Sequence, residues 1–500
     1  MTTIRQYTLG ETLPVSPHAV VSCLPTMVDV HGYEQKKPEV MQALQSGYPR
    51  FVQQALVRKL IAYYMKREGL ESRIGRLIPG RRATQDLSDL LGIGVTALLV
   101  SEDLYLMHVD AEDEERVARL KKYVQHIGCG ISSRQAEDLL LALGQLDHPF
   151  HQENSLAAEI NLQAYADEML ANVVGCRPRD VLICASGMNA FYAGFRSVQE
   201  AQSAKGRKRW LQLGWLYLDS GCILKEFLDE GESLENCYDV MDTTTLVDKI
   251  QEVGSELAAV VIECPTNPLV QIGDLKRVFE AVRAVGGIMM VDPTIASIYN
   301  MDVMPYCDIV VSSLTKYASY EGDVMIGFLS VNPESPHYGD LVLRTSRFYV
   351  PPYVRDLSRL AFEMQSAPQA IQAMNQNAAK LAEFLSQHPA VKEVYFSGYS
   401  PNFNLVSKDV GCVGSVLSIV LQGSMEKFYD KAELMKGPSF GVYFTLLCPF
   451  MYLAHYDMVM NAQGRGHLLE VGIDPDLIRI SVGAEPYEVI ESAIGSALSD

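Results

Sequence analysis

Between residues 155 and 335 the chain repeats one pattern: a short apolar run bounded by turn residues, then a helical segment. The runs are DVLICA, AAVVIE, GGIMMVD, CDIVVSS and MIGFLS. They are apolar throughout rather than at alternate positions, so both faces of each strand must be covered. Strands of that kind joined by helices pair in parallel. This restricts the region to an α/β fold with a mainly parallel sheet between two layers of helix. GMNAFYAGFRSV, after DVLICA, reads as a helix opened by a glycine, and VFEAVRAV fills the gap between AAVVIE and GGIMMVD. The last 150 residues have another texture. QAIQAMNQNAAKLAEFLSQHP is a helix with Ile371, Met374, Ala378, Leu381 and Leu385 on one face, and the mixed strands and helices after it make an α+β cap.

The 500 residues exceed what one compact core holds, so two or three folding units are expected. A net charge of −19 argues against nucleic acid or an anionic membrane as partner. No stretch reaches the ~18 apolar residues a membrane span needs, and the first residues, MTTIRQYTLGETLPVSP, contain no apolar signal core. Ten cysteines lie scattered without C-x-x-C spacing, several inside apolar runs, which reads as reduced buried thiols in a cytoplasmic protein. Upstream, the chain begins irregular. FVQQALVRKLIAYYMKRE then reads as a helix with Leu56, Leu60 and Tyr63 on one face. From 75 to 155, one strand-like run (TALLVSED) and a charged helix starting in the acidic DAEDEE can be read, and little else.

Ligands of parallel α/β sheets bind beyond the carboxyl ends of the strands, so the polar residues there belong together. After VLIC come Ser186, Gly187 and Met188, opening a helix whose free N–H groups suit a phosphate. After VVIE, the turn Cys264-Pro265-Thr266-Asn267-Pro268 presents an amide. IMMV ends in Asp292, and DIVVS in Ser313-Leu314-Thr315-Lys316. A lysine dehydrated at such an edge can serve as the amine nucleophile of Schiff-base chemistry. A buried aspartate can keep a pyridine nitrogen protonated, and the hydroxyls with the helix N-terminus make a phosphate cup. Each piece alone is a common structural feature; their order and placement together single out this edge.

The run ECPTNPLVQIGDLKRVFEAVRAVGGIMMVDPTIAS followed by CDIVVSSLTKY resembles the Cys/Met-metabolism family of fold-type-I pyridoxal-phosphate enzymes, which includes cystathionine γ-synthase, cystathionine lyases and methionine γ-lyase. SGYPRF resembles the family segment in which Tyr48 and Arg50 would reach a neighbouring subunit's phosphate. YLDS resembles the one supplying a ring-stacking tyrosine, Tyr217, and LIRISVGAE the one whose arginine, Arg479, clamps a substrate carboxylate. PHAVVSCLPT, ISSRQAE, GPSFGVYFTLLCPF and LAHYD are similar to the longer, fungal-type cystathionine γ-synthases, so the likeness spans nearly the whole chain. It implies a fold-type-I transferase with a mainly parallel seven-stranded sheet and a smaller α+β C-terminal domain. Residues 1–60 would form an arm to a neighbouring subunit, 61–155 an extra α/β segment, 156–340 the cofactor domain and 341–500 the small domain. It also implies pyridoxal 5′-phosphate held by Tyr48, Arg50, Ser186, Gly187, Met188, Tyr217, Asn267, Asp292, Ser313, Thr315 and Lys316. Lys316 and Tyr217 would be catalytic, Asn267 would lie near the cofactor's 3′-oxygen, and the assembly would be a homodimer or homotetramer with shared sites.

Three functions follow from the resemblance. One is γ-replacement as in cystathionine γ-synthase, joining an O-acylhomoserine to cysteine. Another is a specialised γ-lyase of secondary metabolism acting on a modified, unsaturated or halogenated amino acid. The third is a catalytically silent paralogue, against which the joint presence of Lys316, Asp292, Tyr217 and Arg479 argues. The sequence departs from the family after the lysine, where Ser319 and Tyr320 stand at glycine-like positions, and at Val442 and Tyr443. These side chains would re-line the pocket or simply pack, packing being the commoner fate of such residues. No metal is expected: His148 and His151 make an H-x-x-H without a third ligand nearby. The GIG at 92–94 lacks the third glycine of a dinucleotide fingerprint.

Overall fold

The computed structural model describes residues 5–46, 51–150, 154–156 and 161–499. Two short strands, β1 (Thr12–Leu13) and β2 (Val21–Ser22), pair near the start of the chain. A three-stranded antiparallel sheet follows, built from β3 (Arg73–Pro79), β4 (Thr96–Ser101) and β5 (Leu104–Asp110), with β5 central. Only β4 had been readable as a run. The charged helix is Glu114–Ile127, capped by the Asp113 side chain, so the acidic run does mark a helix start. The helix before β3 spans Ala55–Arg67 and buries Val57, Leu60, Tyr64 and Met65. Leu60 lies on the expected face, whereas Leu56 and Tyr63 are only partly buried beside it.

The large sheet has seven strands: β6 (Val181–Cys184), β7 (Arg209–Leu213), β8 (Ser233–Cys237), β9 (Leu257–Glu263), β10 (Ile288–Asp292), β11 (Ile309–Ser313) and β12 (Gly327–Val331). Their spatial order is β6-β12-β11-β10-β9-β7-β8. All pairings are parallel except those of β12, which runs antiparallel to both β11 and β6. Successive residues feed opposite cores. Val260 and Ile262 of β9 and Met289 and Val291 of β10 join one cluster, while Ala259, Val261, Ile288 and Met290 join the other. β9 is buried at every position, the reason its sequence shows no alternation. The helix Gly187–Ser203 covers one face and Leu275–Val285 the other.

The C-terminal part is a five-stranded sheet, β13 (Val391–Phe396), β14 (Val416–Leu421), β15 (Met435–Lys436), β16 (Leu446–Cys448) and β17 (Ile478–Ser481), in the order β13-β14-β17-β16-β15. The helix Ala367–Gln387 packs on it and buries all five expected apolar residues, Ile371 to Leu385. No helix among the described residues is long and apolar enough to cross a membrane. All ten cysteines are free thiols.

Candidate active site

A cleft of about 230 Å³ opens at the carboxyl edge of the large sheet, between it and the C-terminal sheet. Of the residues expected at a site, Ser186, Gly187, Met188, Tyr217, Asn267, Asp292, Ser313, Lys316 and Arg479 all line it. Tyr48 and Arg50 lie outside the described residues. Thr315 is fully buried but does not line the cleft; its hydroxyl accepts the Ile326 N–H at 2.9 Å and so joins the lysine loop to the start of β12.

At the start of the helix Gly187–Ser203, the Ser186 hydroxyl is already committed. It donates to the Gly128 carbonyl at 2.9 Å and accepts the Asn189 N–H at 3.0 Å, capping the helix Gly187–Ser203. The Gly187 and Met188 N–H groups occupy the first turn, where no helix carbonyl can reach them. A side chain at 187 would put its Cβ 2.7 Å from Ser313 Cβ, so glycine alone lets the helix tip approach the end of β11.

Lys316 follows β11, is 5 % exposed, and carries its Nζ 5.2 Å from the Phe440 ring centre. The next residue, Tyr317, sits in the left-handed region at φ +59°. That conformation costs a bulky residue ~1–3 kcal/mol and must be held by its surroundings. Here the Tyr317 N–H donates to Gly441 O at 2.7 Å and its hydroxyl to Ile295 O at 2.6 Å. The strained residue is thereby fixed from two sides, by the turn after β10 and by the segment before β16, next to Lys316.

Asp292 closes β10 and accepts the Thr294 N–H at 2.9 Å. Thr294 in turn accepts the Ser313 N–H at 2.9 Å, tying the β10 and β11 ends together. Beside Asp292, in register on β9, stands Glu263, which accepts the Tyr217 N–H at 2.5 Å. Burial pushes both carboxyls above their ordinary range. Glu263 is driven further because the Asp292 charge repels its own, while the Tyr217 N–H and Arg479 only partly oppose this. Lys316 pulls Asp292 back down. Two neighbouring carboxyls both raised in this way disfavour a doubly charged pair. Glu263 was not singled out from sequence, although the strand-end argument that picked Asp292 applies to it equally.

Arg479, on β17, is 2 % exposed. Its guanidinium lies 4.9 Å from the centres of both the Phe440 and Phe450 rings and donates to Asn267 Oδ1 at 3.1 Å and Pro438 O at 2.7 Å. Its Nε is buried without a hydrogen-bond partner, an arrangement that calls for an acceptor. The two rings had not been marked out from sequence, since nothing in GPSFGVYF or LCPF signals that they flank an arginine far along the chain. Met325, Leu453 and Ala454 also line the cleft, as do Tyr33, Glu34 and Lys36 from the N-terminal part.

Tyr320 and Tyr443 do not line the cleft. Their rings meet edge to face at 6.2 Å, and the Tyr320 hydroxyl pairs with Ser366 Oγ at 2.8 Å. They pack, as does Ser319, whose hydroxyl donates to Glu363.

Residues 166–499 match the family described as Cys/Met metabolism PLP-dependent enzyme. The chain belongs to that family. It is a pyridoxal-phosphate-dependent enzyme, with a small-molecule amino acid as the class of substrate. Across its whole length it is 31 % identical to L-2-amino-4-chloropent-4-enoate dechlorinase/desaturase of Streptantibioticus cattleyicolor, covering 97 % of each chain. It is also 31 % identical to the cystathionine gamma-synthase of Neurospora crassa, over 65 % of this chain and 53 % of that one. Among solved structures, cystathionine gamma synthase from Xanthomonas oryzae pv. oryzae superposes with a TM-score of 0.57 at 23 % identity, covering 68 % of this chain and 85 % of that one, which establishes the shared fold.

Proposed function

We propose that this enzyme removes a substituent from Cγ of an α-amino acid, as a specialised γ-lyase of secondary metabolism. The observation that carries the reading is the cleft itself: a buried arginine with an unpartnered Nε at one end and an apolar wall of Phe440, Phe450, Leu453 and Ala454 beside it. Full-length similarity to a dechlorinase/desaturase supports it. The residues fit the cofactor: Gly187 and Met188 N–H with Ser313 for the phosphate, Asp292 for the ring nitrogen, Asn267 for the 3′-oxygen, Tyr217 against the ring and Lys316 as covalent anchor. Bound there, pyridoxal phosphate supplies an electron sink that acidifies the protons on Cα and then Cβ. Arg479 orients the substrate carboxylate, with its otherwise unpartnered Nε–H as donor. Lys316 Nζ would take the Cα proton, give it up again to become a free amine, and then take a Cβ proton, so that the electron pair of the broken Cβ–H bond forms the Cβ–Cγ π bond as the Cγ substituent leaves with its bonding pair. The apolar wall keeps water from the reacting carbons.

Cystathionine γ-synthase activity is the second reading. Glu34 and Lys36 favour it, because a carboxylate and an ammonium on the cleft lining can receive the opposite charges of cysteine. Product analysis separates the two. The holoenzyme would be given 2-amino-4-chloropent-4-enoate or an O-acylhomoserine, with and without cysteine. Release of chloride or acid without any thiol supports the lyase. Turnover that requires cysteine and yields cystathionine replaces it with the synthase, and no turnover of either class overturns both. In the same family of readings, we infer that residues 1–60 serve a neighbouring subunit, that 61–155, 156–340 and 341–500 are the remaining units, and that the enzyme works in the cytoplasm as a homodimer or homotetramer.

A further inference from the structure

Away from the cleft, the helix Glu114–Ile127 meets the helix Leu218–Glu226. Their contact brings together three side chains from the classes that bind transition metals. His126 comes from the end of the first helix, and Cys222 and Glu226 come from the second. One nitrogen, one sulfur and one oxygen lie within 4.8 Å of one another. Cys222 and Glu226 are four residues apart, so they share a helix face. His126 is 2 % exposed, and its Nε2 is buried without a hydrogen-bond partner. Its Nδ1 lies 3.2 Å from Asp219 Oδ1. A proton on Nδ1, shared with that carboxylate, leaves the Nε2 lone pair directed toward the Glu226 carboxylate, whose Oε2 is 4.0 Å away. An imidazole held by a carboxylate behind and presenting its other nitrogen forward is the usual arrangement of a metal-ligating histidine.

We propose that His126 Nε2, Cys222 Sγ and Glu226 Oε2 form a zinc site, with water as the fourth ligand. Mixed nitrogen, sulfur and oxygen donors suit zinc better than the hard cations that take oxygen alone. Tetrahedral zinc places such ligand atoms about 3.5 Å apart, so the three must draw in by about 1 Å. The Cys222 and Glu226 side chains, both half-buried, can supply that movement by rotation. The groups facing the site are Asp219, Lys122 and Gln125. Gln125 donates to Asp219 at 3.0 Å, and Lys122 pairs with the other Glu226 oxygen, Oε1, leaving Oε2 for the ion. The Cys222 thiol, raised by burial and by the Asp219 and Glu226 charges, gives up its proton on ligation. Such an ion would staple the α/β segment around β3–β5 to the helix that Tyr217 opens, and so bear on the cleft wall without entering it.

The test is cobalt substitution in the full-length holoenzyme, read at ~600–700 nm, where tetrahedral cobalt absorbs and the cofactor does not, with zinc content measured in parallel. The expected result is one ion per chain, displaced by zinc, with Cys222→Ser weakening binding by more than ~100-fold and Asp219→Asn by ~10–100-fold. Both variants should retain bound cofactor, which reports that the fold survives; Glu226→Gln serves if either loses it. Absence of the visible bands in wild-type protein overturns the proposal, and so does their persistence unchanged in Cys222→Ser.

Discussion

Arg479 and Lys316 carry most of what the proposed chemistry asks of single residues, and they fail differently when removed. Arg479→Ala should raise KM by roughly 10–100-fold with a smaller change in kcat, because the carboxylate it holds is bound in ground and transition states alike. Steady-state kinetics checks this, and an unchanged KM removes Arg479 from the substrate site. Lys316→Ala should lower turnover by at least ~10³-fold while leaving the melting temperature near that of the parent, since only the proton carrier and covalent anchor are lost. Glu34 offers a pH signature. Burial, reinforced by Asp457 and opposed by Lys36, raises its carboxyl to about 7. A raised acid favours the folded state in its protonated form, so that stability is full below its unfolded value near 4.5 and is lost as pH rises through about 7. Glu34→Gln should therefore flatten the fall in stability between pH 5 and 8 by about 1–2 kcal/mol, read as melting temperature against pH.

At the level of elements, the lysine loop is held by a buried ionic network. Arg359, on the helix Val354–Met364, lies 3.2 Å from both Asp323 and Glu363. Arg134, on the helix Ser133–Ala142, reaches Asp356 at 3.1 Å and Asp323 at 3.4 Å. Glu363 also accepts from Ser319 Oγ at 3.1 Å and Glu321 N at 3.0 Å, fixing the chain just after Lys316. Removing one partner leaves the others charged and buried, so Arg359→Ala should destabilise by about 3–5 kcal/mol, measured by chemical denaturation. Here sequence reading stops for a physical reason. The alternation of apolar runs and helices, the stripe on Ala367–Gln387 and the helix start in the acidic run are local patterns, and each stands where the pattern put it. Ser319 and Tyr320 were visible as departures, but whether they faced the cleft depended on Glu363 and Ser366, residues more than forty positions away. Thr315 shows the same limit: its hydroxyl type suited a phosphate, and the pairing with Ile326 took it.

For the molecule as a whole, shared sites make a quantitative demand. If Tyr48 and Arg50 serve a neighbouring subunit, mixing Lys316→Ala with Arg50→Ala chains should restore about a quarter of wild-type activity, because half the random dimers regain one intact site. Subunit exchange followed by assay measures this, and no recovery places both residues in one chain. The sequence by itself determined the α/β class, the strand ends that carry Asp292 and Lys316, and the family, because these rest on periodicity and short contiguous motifs. It did not determine that β12 runs antiparallel, since an apolar run reads the same in either direction. Nor did it show that Glu263 stands beside Asp292 in register, that the Phe440 and Phe450 rings flank Arg479, or that His126 faces Cys222 and Glu226. Those are relations between residues distant along the chain, and only the packing of one element on another brings them within reach of a hydrogen bond, a ring face or a metal ion.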